Sequence, residues 1–413
     1  MADTSVTLQG MHFRNPVLPA AGPNVRTGAM MRAAAEGGAG GLVAKTVSTR
    51  PAKDPRPSIR RATGQGLLNC ETWSEIPVEE YLEDLREAKK SGVPVIASIG
   101  YSPEEVSRLG KLIEAEVEPD GFEFSTHYSG ASIDPLVDVA RSLREAVEAP
   151  VWMKVSPGCA DIEGLARKAS AYVDGFVAIN SYGPVLDFDP ETAEPLLGSP
   201  GGIAWLSGAP IRTMALWIVH QMAQVTDRPI IGVGGVERGV DAVKLIMAGA
   251  SLVQVCSAAI RKGHGVYGTI AGELEEWLDT HGYSSVEEIR GRFAPAPERG
   301  ARKETGETGQ ASDKAPAAGQ VAGHAAAEPA ATAGAGASRA GGPSADARRR
   351  AVASHLMHIL QETCTGCRAC IGRCVQGALF MEEGKAKVIP ENCIGCGYCQ
   401  DFCPVDAMKL VEV

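Results

Sequence analysis

The chain has 413 residues, a formal net charge of −10, 44% hydrophobic residues and 22% charged residues. Those proportions describe a soluble globular protein with room for two or three units, and the acidic balance argues against a nucleic-acid footprint. The opening MADTSVTLQG has no basic segment followed by an apolar run, and no stretch approaches a membrane span, so the expectation is a cytoplasmic protein that keeps its thiols free.

From residue 1 to 293, short apolar runs alternate with helical patterns. The predicted strands, in chain order, are NPVLPAA, GGLVAKTV, PVIASIGY, GFEFSTH, PVWMKVSP, GFVAINSY, RPIIGVGGV and LVQVCSAA, with helical stretches such as VEEYLEDLREAKKSG and DPLVDVARSLREAVE between them. Eight strand–helix units predict an α/β fold, a (β/α)8 TIM barrel, in preference to a doubly wound open sheet, which seldom needs eight regular units. From Ala294 the composition shifts to Ala, Gly, Pro, Glu and Ser; as far as Arg350, Val321 is the only large aliphatic residue and there is no aromatic. Such a segment cannot bury enough apolar surface to offset its ordering entropy. Residues 294–352 are therefore expected to form a flexible linker with a reach of about 40 Å, and residues 353–413 a small α+β domain.

Eight of the eleven cysteines crowd into that last domain. Cys364, Cys367, Cys370 and Cys374 form C-x2-C-x2-C-x3-C, and Cys393, Cys396, Cys399 and Cys403 repeat the spacing with Pro404 following. Disulfide frameworks do not require such repetition, and paired zinc knuckles are the less fitting metal reading. The segment CIGCGYCQDFCPVDAM resembles bacterial two-cluster ferredoxins, in which three cysteines of a run hold one cubane and the fourth crosses to the other. That resemblance implies two [4Fe–4S] clusters, one on Cys364, Cys367, Cys370 and Cys403, the other on Cys393, Cys396, Cys399 and Cys374. Val375 stands where the pattern commonly has proline. One-electron transfer is the implied role.

Polar residues of the barrel gather at the ends of its strands, where this fold builds active sites. Lys45 closes strand two, Lys154 strand five, and Asn180 with Ser181 strand six; strand seven ends in Gly234-Gly235 and strand eight in Cys256-Ser257. Glycines and small residues after strands seven and eight suit a phosphate held by backbone N–H groups.

These stretches, from NPVLPAAG through LVAKTVSTRP, GLLNC, VWMKVSP, INSYG and IIGVGGVERGVDA to GYSSVEEIRGRF, resemble the class 1 dihydroorotate dehydrogenases and the pyrimidine-reducing domain of dihydropyrimidine dehydrogenases. The resemblance implies FMN. Ala20, Ala21 and Gly22 would pack near its ring system, Lys45 and Thr46 would meet its polar edge, and Lys154 would stand near N1, where a cation stabilises the reduced flavin. Ser181 would join this site, while Ser207, Gly208, Gly234, Gly235, Cys256 and Ser257 would contact the ribityl chain and phosphate. Asn69 and Asn180 would hydrogen-bond the substrate ring.

The catalytic loop departs from the family pattern. Where the family reads roughly N-L-S-C-P-N, this chain has Glu123-Phe124-Ser125-Thr126-His127-Tyr128. Thr126 occupies the place of the proton-transferring cysteine, and His127 beside it titrates near neutrality. Glu123 and Tyr128 replace two of the asparagines that would grip a pyrimidine, and an ionised Glu123 would repel the carboxylate of orotate. The expected activity is FMN-dependent oxidoreduction of a C–C bond in a small cyclic substrate, of the dihydropyrimidine or dihydroorotate kind. The alternatives are a non-pyrimidine substrate, or an electron-transfer subunit without catalysis of its own. No G-x-G-x-x-G follows a predicted strand, so any NAD(P)H is expected to be handled by another polypeptide; the resemblance to bacterial two-subunit dihydropyrimidine dehydrogenases implies a separate FAD-containing, NAD(P)H-oxidising or other electron-transfer subunit as partner, and assembly into a homo-oligomer is expected as well.

Overall fold

A computed structural model describes residues 1–125, 132–293 and 354–413. The expected linker, and Thr126, His127 and Tyr128, lie outside them. Eight parallel strands make up a TIM barrel: Val17–Pro19, Leu42–Val43, Val95–Ile99, Gly121–Ser125, Val151–Val155, Gly175–Ala178, Ile230–Val233 and Ala250–Val255. In space the first strand pairs with the eighth, and the ladder runs from there back through the seventh to the second. Gly40 N–H donates to the Val17 carbonyl at 2.8 Å and brings the entry to strand two against strand one. Seven of the eight fall within the apolar run predicted for them, and the eighth begins two residues ahead of its run, at Ala250. Strands covered on both faces read as near-continuous apolar stretches, and Val95–Ile99 and Val151–Val155 are buried at every position.

Helices with one apolar stripe pack outside. Pro103–Val117 is fixed at its start by a capping box, Ser102 with Glu105, and buries Val106, Leu109, Ile113 and Val117. The Glu105 carboxylate also accepts from Ser48 Oγ at 2.6 Å and Thr49 Oγ1 at 3.0 Å. One cap thereby ties down the loop after strand two.

A four-stranded antiparallel sheet was not anticipated from the sequence. It joins Tyr182–Val185, Ala204–Gly208, Gly66–Asn69 and Ile59–Arg61 in that order. Its strands come from two long excursions, one after strand two and one after strand six. The C-terminal segment forms two small sheets, His355–Ile359 with Met408–Glu412 and Leu379–Glu382 with Lys385–Val388, linked by cysteine-bearing loops. Barrel and cysteine-rich segment belong to one compact unit.

Candidate active site

The strand ends and the antiparallel sheet enclose a cavity of about 900 Å³. Ala20, Ala21, Gly22, Lys45, Thr46, Lys154, Ser181, Ser207, Gly208, Gly234, Gly235, Cys256 and Ser257 all line it, as do Asn69 and Asn180. Glu123 does not. It is fully buried beneath, with one carboxylate oxygen 3.2 Å from Lys154 Nζ and the other accepting from Gln254 Nε2 at 2.7 Å. The loop motif put Glu123 among the substrate contacts. Its side chain turns instead towards Lys154 on the neighbouring strand, where the two charges compensate each other away from water.

Residues not singled out from the sequence complete the wall. Glu71 lies 3.1 Å from Lys45 Nζ and takes a longer contact, 3.4 Å, from Ser58 Oγ. Burial alone would raise its pKa, but Lys45, Arg56 and Arg26 hold it below the ordinary range. Burial pushes Lys45 down, and Glu71 and Asp54 more than offset it. Thr72 and three of the aromatics at the cavity, Trp73, Tyr101 and Trp205, also come from the excursions and loop ends. Gln254 was readable: it is the one polar residue in the run LVQV of strand eight. Cys256 donates to Asn24 Oδ1 at 3.2 Å, and burial pushes its thiol up to about 11.

The residues suit a flavin mononucleotide on two counts. Gln254 is buried on the cavity wall and its Oε1 has no partner, so it can accept a bond from a ring N–H. Gly235 has φ +72°, and a Cβ there would stand 2.6 Å from Arg212 Cβ and 2.9 Å from the Gly208 carbonyl. Only glycine lets these two backbone segments meet, and so keeps their N–H groups clear of side chains where a phosphate would lie.

Two smaller cavities occupy the C-terminal segment. Cys364, Cys367, Cys370 and Cys403 line one, and Cys374, Cys393, Cys396 and Cys399 the other. These are the crosswise sets implied by the ferredoxin spacing. A zinc knuckle would draw its sulfurs to about 2.3 Å from one point. Among the described residues no three His, Cys, Asp or Glu side chains converge as a single ion needs. Backbone N–H groups of Met357, Ala378 and Ala407 donate to Cys393, Cys374 and Cys403 sulfurs at 3.1–3.4 Å, the kind of bond that tunes a cluster's potential.

The second set borders the large cavity. Ile59, Leu67, Ile260 and Tyr398 form one buried apolar cluster on which Cys256, Cys396 and Phe402 pack, and the first three also line the cavity. The Cys396 carbonyl accepts from both Ser58 N and Ile59 N at 3.0 Å. Arg56 Nε donates to the Ile394 carbonyl at 2.9 Å, and Arg60 Nε lies 2.6 Å from Asp401 Oδ1. Gln376 Nε2 donates to the Pro23 carbonyl at 3.1 Å.

Comparison with known proteins agrees with both halves. Residues 128–278 match the family model for dihydroorotate dehydrogenase and residues 356–404 that for a 4Fe-4S dicluster domain. The chain is 36% identical over 301 residues to the catalytic subunit of dihydroorotate dehydrogenase B (NAD(+)) of Methanosarcina mazei, covering 69% of this chain and 93% of the relative. The subunit of the same name from Pyrococcus abyssi is 33% identical, with 69% and 97% covered, and that of Methanocaldococcus jannaschii 33%, with 68% and 95%. A strand-end cavity on a TIM barrel, a flavin-shaped donor set and a dicluster module thus coincide with overall sequence identity: the chain belongs to the class 1 dihydroorotate dehydrogenase family of oxidoreductases.

Proposed function

We propose that this chain is an FMN-dependent oxidoreductase acting on a ring C–C bond of a small cyclic substrate, and that it exchanges electrons with a partner subunit through two [4Fe–4S] clusters. The observation that carries the reading is the shared wall: Ile59, Leu67 and Ile260 separate the strand-end cavity from the cysteine set that contains Cys396. FMN, when bound, supplies the junction between two-electron exchange with substrate and one-electron exchange with clusters. Lys154 and Lys45 are the residues to hold its polar edge, Gly208, Gly234, Gly235 and Ser257 its phosphate end, and Asn69 and Asn180 the substrate. Thr126 and His127 are the candidates for the proton-transfer residue. The set with Cys396 is the one next to the cavity, and the set with the exposed Cys367 faces an external electron carrier. The relatives' shared name, a catalytic subunit, supports a separate partner.

Cofactor analysis followed by anaerobic photoreduction tests this. The expected result is one FMN with about eight iron and eight acid-labile sulfides per chain, and reoxidation of the photoreduced protein by at least one pyrimidine or related unsaturated ring compound. Protein that binds no flavin, or that no ring compound reoxidises, would refute the reading.

A further inference from the structure

Three strands bring one polar side chain each to the base of the cavity: Glu123 from Gly121–Ser125, Lys154 from Val151–Val155 and Gln254 from Ala250–Val255. Lys154 Nζ lies 3.2 Å from Glu123 Oε1, and Gln254 Nε2 donates to Glu123 Oε2 at 2.7 Å. A carboxylate paired with an ammonium only accepts. Glu123 therefore turns the NH2 of Gln254 inward, and Oε1, which has no partner, is left as an acceptor on the cavity wall. Among the described residues two further titratable groups feel this pair, the Cys256 thiol near Lys154 and the Tyr81 phenol near Glu123. Burial pushes both up, so both stay uncharged near neutral pH. Lys45 belongs to a separate network, in which Lys45, Arg26 and Arg56 balance Glu71, Glu75 and Asp54.

We propose that Glu123 is a positioning residue for the flavin: it offsets the charge of Lys154 and turns the Gln254 carbonyl to the cavity, so that the reduced ring is held in its neutral, N1-protonated form. This rests on the proposed FMN site, with Lys154 at the N1 edge. A free cation at that edge would stabilise a reduced ring that has lost its N1 proton. Here the ammonium already meets a fully buried carboxylate, and the pair brings no net charge to the ring. The Gln254 acceptor favours the same form, since it takes a bond from a ring N–H and repels a bare ring nitrogen. Two-electron reduction then consumes two protons from water, one at N5 and one at N1, where an uncompensated lysine would leave the count at one. Withholding support from the N1 anion also lowers the flavin potential, which inclines exchange with the ring compound towards ring reduction.

Two measurements on the FMN-loaded full chain test this. The flavin midpoint potential is titrated at a series of pH values above neutrality; the unaltered protein is expected to take up two protons per two electrons, and Glu123→Gln one. Sulfite, which adds to the oxidised ring at N5 and leaves negative charge at N1, reads the free cation directly through loss of flavin absorbance. It is expected to bind Glu123→Gln at least tenfold more tightly than the unaltered protein. Adding Lys154→Met to that variant should return sulfite to weak binding, because the freed cation is then gone. A single proton per two electrons in the unaltered protein overturns the proposal whether or not the variants fold, and so does a sulfite affinity that Glu123→Gln leaves unchanged. Protein purified without FMN would sink the functional reading itself, whereas FMN-loaded protein that reduces to the N1 anion sinks only this inference.

Discussion

Lys154 and Glu123 are 5% and 0% exposed at their side chains and reach each other across neighbouring strands. A buried pair contributes little net stability, but removing one partner leaves an uncompensated charge and costs about 3–5 kcal/mol. Lys154→Met should therefore lower stability by that order, and Lys154→Met with Glu123→Gln should recover most of it; urea titrations of all three proteins decide. On the proposed function the pair would also set the charge felt by a bound flavin. Glu123→Gln should raise the flavin potential, because Lys154 loses the counter-charge that tempers it, while Lys154→Met should lower it. Potentials that stay put in both variants would remove Lys154 from the flavin site.

Glu71 carries a pH prediction. Its folded pKa is depressed, so it stabilises the fold above the unfolded carboxylate value of about 4.3, and that contribution decays as pH falls towards the folded value. Asp54, raised by burial and by Glu71, works in the opposite sense. Glu71→Gln should flatten the acid limb of stability, measured as Tm as pH falls below the unfolded carboxylate value of about 4.3; an unchanged limb would mean that Glu71 is not the group titrating. How legible such residues were in the sequence depends on what pointed to them. Lys45 and Lys154 end predicted strands, and periodicity with the barrel rule leads to the rim. The direction of the Glu123 side chain depends on a partner 31 residues away, and no local pattern records that.

Among the elements, the barrel strands were readable as apolar runs of the right length, whereas the four-stranded antiparallel sheet was not. Its strands are short, and Ile59–Arg61 and Gly66–Asn69 are separated from Tyr182–Val185 and Ala204–Gly208 by more than a hundred residues. The sheet nonetheless holds Asn69, Trp205, Ser207 and Gly208 at the cavity and offers its edge at Ser58 and Ile59 to Cys396. The family resemblance pointed to Asn69, Ser207 and Gly208 without the element that presents them, and it gave no sign of Trp205. Gly397 marks the seam. Its φ is +84°, and a Cβ there would stand 2.5 Å from Pro57 Cβ. Gly397→Ala combines left-handed strain with a steric clash and should cost about 1–3 kcal/mol. The expected signature is a lowered Tm and slowed electron exchange between clusters and flavin, with iron content unchanged. Loss of iron instead would assign Gly397 to cluster assembly, and normal exchange at a normal Tm would show that the contact is dispensable.

At the level of the whole molecule, the division of labour between barrel and cysteine module can be cut at one place. Every residue lining the large cavity lies between Ala20 and Ile260, and every residue of both cysteine sets lies beyond residue 363. Protein ending at Phe293 should fold, because the barrel core draws on no residue of the C-terminal segment. It should lose all iron. The cut also strips Tyr398, Cys396 and Phe402 from Ile59, Leu67 and Ile260, so water gains the outer side of that wall and the Ser58 and Ile59 N–H groups lose the Cys396 carbonyl. FMN should remain, but with weakened affinity, since contacts on one side of its pocket are no longer held in place. The sharper test is kinetic. Photoreduced truncated protein should still be reoxidised by a ring substrate at a rate near that of the full chain, because that exchange uses cavity residues alone. Its reduction by a one-electron donor that cannot enter the cavity should fall by two or more orders of magnitude, since the route through the cysteine sets is gone. Equal reduction of the two proteins would mean that the clusters are not the entry for electrons, and the shared wall at Ile59, Leu67 and Ile260 would then be packing alone.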